Sequence, residues 1–142
     1  MIETANKFIA HLPVGKSFTR NNWGFRYGDQ LDLSSKYSAT YRAKLEADAP
    51  FFSHEDVAEK IFLRVEHQTL TRLQNSGYVL FTIHTYHHSV KEVVSDTVQA
   101  QTLLSFLQGT PAELIDYKVM TPMYPQLISY LEEICSEINK QK

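Results

Sequence analysis

At 142 residues, 43% hydrophobic, 21% charged and with a formal charge of −2, the chain has the composition of a folded globular protein, and a single domain spanning 1–142 is expected. The balance contains no basic run, so nucleic acid is not an expected partner, because phosphate binding needs clustered Lys and Arg. Cys135 is the only cysteine, which rules out an intrachain disulfide and a multi-cysteine zinc site, and no stretch reaches the length of a membrane span. The start, "MIETANKFIAHLPVG", is acidic and polar where a signal peptide would be basic and then apolar, so the cytoplasm is the expected location.

Ile2, Ala5, Phe8, Ile9 and Leu12 recur at helical spacing until Pro13 and Gly15, which predicts a short amphipathic helix. "KSFTRNNWGFRYGDQ" reads as a strand from about Phe18 to Tyr27, with Asn21-Asn22 a possible irregularity and Gly28-Asp29 its exit. Between Leu31 and Pro50 neither period settles, and an irregular connection is expected. Ser53 and Asp56 then have capping-box spacing for one or two helical turns over His54 to Lys60.

Phe62 to Tyr86, "FLRVEHQTLTRLQNSGYVLFTIHTY", is rich in strand formers on both sides of Gln74-Asn75-Ser76-Gly77, so a long β-hairpin is predicted. Asp96 and Gln99 mark a helix start and Gly109 its stop. Thr110-Pro111-Ala112-Glu113 supplies a Thr N-cap with Pro at the first helical position, and Thr121-Pro122 opens the next helix. Leu127, Ile128, Leu131, Ile134, Cys135 and Ile138 form one apolar stripe, which also makes Cys135 a core residue. The sum is an α+β fold: an antiparallel sheet centred on the hairpin of about 62–86, with an N-terminal helix and C-terminal helices laid against one face.

Six histidines raise the question of a metal. His84 and His88 would lie about 13 Å apart on a regular strand, and adjacent His87 and His88 would point to opposite faces, so no intrinsic metal site is expected. The hairpin register matters more. A two-residue turn at Asn75-Ser76 pairs His67 with His84, whereas a three-residue loop pairs Gln68 with His84, and the sequence leaves both open. Arg64, Glu66 and Gln68 alternate onto one face, which is either a solvated strand face or a pocket wall where Arg64 grips a carboxylate and Glu66 fixes it or moves a proton. Trp23 is likewise core or stacking platform. No serine-nucleophile elbow and no phosphate-cradling glycine loop occur.

"RVEHQTLTRLQNSGYVLFTIHTY" is similar to the signature of the haem-dependent oxidative N-demethylase family, roughly R-x-E-R-Q-T-L-x-R-L-P-x-[ST]-G-x-x-L-F-T-I-[RK]-T-Y. The matching residues are Arg64, Glu66, Gln68, Thr69, Leu70, Arg72, Gly77, Phe81, Thr82, Thr85 and Tyr86. Phe8, Leu12, Gly15, Asn22 and Trp23 resemble an upstream segment of the family, and "TPAELIDYKVMTPMYPQLISYLEEI" resembles its closing helices. The chain resembles the C-terminal half of members about twice its length.

The resemblance implies a PAS-like domain that binds haem b and, with O2 and an electron-donating reductase, oxidises a small secondary amine such as dimethylamine to the demethylated amine and formaldehyde. It also implies Glu66 as a catalytic residue and Trp23, Arg64, His67, Gln68, Thr82, His84, Thr85 and Tyr86 as cofactor-binding residues. Three departures stand out: the upstream half with its histidine is absent, His67 and His84 replace arginines, and Gln74 replaces a proline. A forked, permanently charged group is thereby exchanged for a smaller one, and His67 or His84 becomes a candidate iron ligand. A truncated or fragmentary member, inactive as an isolated chain, is therefore expected. The alternative is a non-catalytic PAS-like ligand-binding or subunit module that completes its pocket with a missing half or companion chain, for which a broad exposed apolar sheet face would speak.

Overall fold

The computed structural model describes the backbone of residues 2–32 and 35–139, and the side chains of these except 2–5, 35–37, 97, 138 and 139. The expected α+β architecture is found. In chain order the elements are α1 (Ile2–Ala10), β1 (Ser17–Tyr27), α2 (Ser35–Asp48) with a 3-10 turn at Ala49–Phe51, α3 (His54–Lys60), β2 (Ile61–Arg72), β3 (Val79–Ser89), α4 (Val90–Val93), α5 (Thr97–Gln108), α6 (Ala112–Tyr117) and α7 (Tyr124–Asn139). The strands make one antiparallel sheet in the order β1-β2-β3.

The chain packs as two compact units, Met1–Trp23 with Val65–Tyr86, and Gly24–Arg64 with His87–Lys142. Each strand of the sheet contributes one end to each unit.

In the first unit, α1 ends where Pro13 and Gly15 demand it, and the last carbonyls of the helix share one side chain with those beyond it. Arg72 donates to the Ile9, Ala10 and Leu12 carbonyls and, from Nη1, to that of Gly77. A cation at a helix C-terminus also opposes the negative end of the helix dipole. The hairpin closes through Leu73 N–H to the Tyr78 carbonyl at 2.8 Å, leaving four loop residues, with Gly77 at φ 70° where a side chain would be strained. The pairing of 73 with 78 is the register that sets His67 opposite His84. In the second unit Phe62 stacks on His87. β1 runs through Asn21-Asn22 unbroken.

The second unit holds the core. Leu127, Leu131 and Cys135 of α7 are buried together with Ala100 and Leu107 of α5 and Val57 and Ala58 of α3. Ser53 caps α3 with the reciprocal Asp56 box foreseen, and Asp96 caps α5. Three sequence expectations fail here. Residues 35–48 form α2 instead of an irregular connection: "YRAKLEAD" consists largely of strong helix formers, but Leu45 is the only fully buried residue of the helix among those described, so no apolar period can show. Thr110 does not cap α6; its hydroxyl donates back to the Phe106 carbonyl, and Pro111 takes the cap position without a side-chain bond. α7 starts at Tyr124, one turn beyond Thr121-Pro122. The short α4, with a Ser89–Glu92 capping box, was not foreseen. Ile138 of the apolar stripe lies outside the described side chains.

Candidate functional site

The first unit joins β1 to β2 in an antiparallel register that pairs Ser17 with Thr71, Arg20 with Gln68, Asn21 with His67 and Asn22 with Glu66, each pair linked by a side-chain hydrogen bond. Because side chains alternate along a strand, this register sorts them onto two faces. On one, Arg20 Nε donates to Gln68 Oε1 at 2.6 Å, Gln68 Nε2 donates to Glu66 Oε2 at 2.9 Å, and Asn22 Nδ2 donates to the same oxygen at 3.3 Å. The chain of bonds runs Arg20 to Gln68 to Glu66, and one carboxylate oxygen collects two amide donors. Gln68 is only 5% exposed. An amide that far from water needs both its ends satisfied, and Arg20 and Glu66 do so. Arg20 and Asn22 are the functional candidates that sequence reasoning passed over as site residues; a β1–β2 register, invisible without a turn between the two strands, was the missing signal.

The hairpin register adds Ile83 and Thr85 of β3 to the Glu66 face, along with Phe81. The other face carries Trp23, His67, Thr82, His84 and Tyr86. There His67 Nδ1 lies 3.0 Å from Asn21 Oδ1. The His84 ring meets the Tyr86 ring edge-on, centroids 4.8 Å apart. The nine residues of the predicted site are therefore not one wall: Glu66, Gln68 and Thr85 share one face, and Trp23, His67, Thr82, His84 and Tyr86 the opposite one. A flat cofactor on either face reaches one set only.

Arg64, the ninth, belongs to the second unit, where its Nη1 donates to the Leu31 carbonyl at 3.1 Å. His87, in the same unit, stacks on Phe62 with ring centroids 4.6 Å apart, and its buried Nε2 has no hydrogen-bond partner. Burial, and secondarily the Arg64 charge, holds its pKa below the ordinary histidine value. Burial pushes the Cys135 thiol up, as suits a core cysteine without nucleophilic work. Among the described residues no three His, Cys, Asp or Glu side chains gather as a metal-binding group, and no helix is long and apolar enough to cross a membrane.

β3 is an edge strand with both faces half-open: Leu80 and Tyr86 on one side and Phe81 and Ile83 on the other are each 48–50% exposed. No charged residue guards it from Val79 to Ser89 apart from three histidines. Exposed apolar side chains thus lie on both faces of β3, beside a carboxylate held by two amide donors on one of them. The profile of the family described as haem-dependent oxidative N-demethylase, alpha subunit-like, matches residues 1–128, and the chain belongs to that family. Haem and an enzyme of several subunits thus attach to the family by its description.

Proposed function

We propose that the chain supplies a wall of the haem and amine site of an oxidative N-demethylase alpha subunit, with Glu66 as the residue that receives the substrate. The Arg20–Gln68–Glu66–Asn22 chain of hydrogen bonds carries this reading, because it fixes a carboxylate in place before any ligand arrives. A small secondary amine such as dimethylamine is a cation at neutral pH, and a fixed carboxylate can bind its N–H bonds and take up its proton.

The demands of haem are met in part by the same face. Phe81 and Ile83 offer apolar contact for the macrocycle, and Arg20 offers a cation of the kind that pairs with a propionate. Bound haem supplies the oxygen chemistry, drawing electrons from a reductase. Glu66 orients the amine, while Gln68 and Asn22 hold the carboxylate so that it does not swing into solvent. The exposed apolar residues on both sides of β3 favour completion of the surface by further protein, either another part of the same subunit or a companion chain. An iron ligand then comes from that further protein, as His67 is on the opposite face.

Titration of the purified chain with hemin, followed at the Soret band, tests this. A saturable, sharpened band that survives His67→Ala and His84→Ala but changes in Arg20→Gln and Glu66→Gln places haem on the Glu66 face. Loss of the band in His67→Ala would move the site to the other face, with His67 as the iron ligand. A spectrum identical to free hemin would end the case for haem binding by this chain alone.

A further inference from the structure

The second unit contains a cavity of about 320 Å3 between the end of β1 and α2, within the size range of small-molecule sites. Its walls include Arg26 and Arg42, the ring of Tyr41, and Val119. Asp32 is the lone acidic side chain among its described lining residues, so two guanidinium groups against one carboxylate leave the described part of the lining with a formal charge of +1.

Arg26 is held from two sides. Its Nη1 donates to the Lys118 carbonyl at 3.2 Å, and its guanidinium carbon lies 5.8 Å from the centre of the Tyr41 ring. Its Nε is buried and has no hydrogen-bond partner. A buried donor left without an acceptor calls for an explanation. Beside it the backbone is also out of the ordinary: Val119 has φ 59°, a left-handed conformation that a β-branched residue rarely adopts. Val119 follows α6, where its N–H bonds the Asp116 carbonyl and the Met120 N–H bonds that of Ile115. This is the paired arrangement in which glycine normally stands. A turn that keeps valine there, against a cavity wall, is the kind of strain that collects at binding sites.

We propose that this cavity binds a small organic monocarboxylate, its carboxylate paired with the cations of Arg26 and Arg42, and its apolar body against Tyr41 and Val119. The net charge of the described lining residues favours a monoanion over a dianion. The Tyr41 oxygen already accepts the Tyr27 N–H at 3.0 Å, which fixes the ring that forms the wall. The Tyr27 hydroxyl donates to Asp48 at 2.9 Å and is thus committed elsewhere.

The test is a titration of the 15N-labelled chain with sodium benzoate, with benzamide as neutral isostere and inorganic phosphate as dianion. Benzoate is expected to shift the amides of Gly28, Ala39 and Val119 saturably, benzamide at least tenfold more weakly, and phosphate more weakly than benzoate. Arg26→Gln should lower benzoate affinity at least tenfold. Arg42→Gln, at an exposed position whose loss leaves the fold intact, should lower it severalfold, whereas Lys91→Gln should not change it. Equal binding of benzamide, tighter binding of phosphate, or unchanged affinity in Arg42→Gln would each overturn the proposal. Hemin and hemin dimethyl ester distinguish the sources of the carboxylate. Competition with benzoate by hemin but not by the ester assigns the cavity to a propionate, and competition by neither assigns it to a free acid.

Discussion

The two units of this chain are built on opposite economies. Among the described residues every buried apolar side chain except Leu12 lies in the second unit, where α3, α5 and α7 close over Leu127, Leu131 and Met123. The first unit buries Gln68 and Leu12 and leaves Phe8, Leu80, Phe81, Ile83 and Tyr86 close to half exposed. One unit is stabilised by burial, the other by hydrogen bonds along a sheet and around an arginine. The difference teaches that stability and recognition are divided within this chain, since apolar surface not used for a core is available for something else.

The largest test of that contrast compares Leu131→Ala with Ile83→Ser. Removing Leu131 leaves a cavity in a closed core and should cost about 2–5 kcal/mol in denaturant unfolding, whereas Ile83→Ser should cost under about 0.5 kcal/mol. An equal loss for both would break the comparison. Arg72→Met comes next: it strips the α1 C-terminus and the hairpin loop of their shared donor, with an expected loss of about 1–2 kcal/mol by the same measurement. Smaller, and of opposite sign, is Val119→Gly. Relief of the left-handed strain, about 1–2 kcal/mol, outweighs the extra freedom of glycine in the unfolded chain, so the midpoint of thermal unfolding should rise slightly.

The smallest effect is expected at the α3 cap. Lys60 first, and then the Ser53 backbone and hydroxyl, hold the Asp56 carboxyl down to about 2 from 3.8. A depressed folded value means the unfolded chain binds the proton more readily, so this stabilisation is present above pH 4 and disappears as pH falls through 4 to 2. In Asp56→Asn the stability curve should be flatter over that interval, by a small amount because the group is exposed.

The hairpin, the Ser53 and Asp96 caps and the α7 stripe were legible because each leaves a local mark: turn residues between strand formers, a capping pair, a 3.6-residue apolar period. α2 left none, since Leu45 alone among its described residues is fully buried and its remaining helix formers have no preferred face. The site was half legible. Alternation alone placed Glu66 and Gln68 together and His67 away from them, but the position of His84 on the His67 face depends on the pairing across the loop, and pairing is a property of distant residues. Arg20 could be found only by knowing that it sits opposite Gln68.

Arg72 couples parts that the backbone keeps apart. Its guanidinium spans carbonyls of residues 9, 10 and 12 and of residue 77, so the last turn of α1 and the tip of the hairpin share one fastening. Their amide protons should then exchange with solvent as a single opening event at one common rate, and in Arg72→Met the two segments should exchange independently.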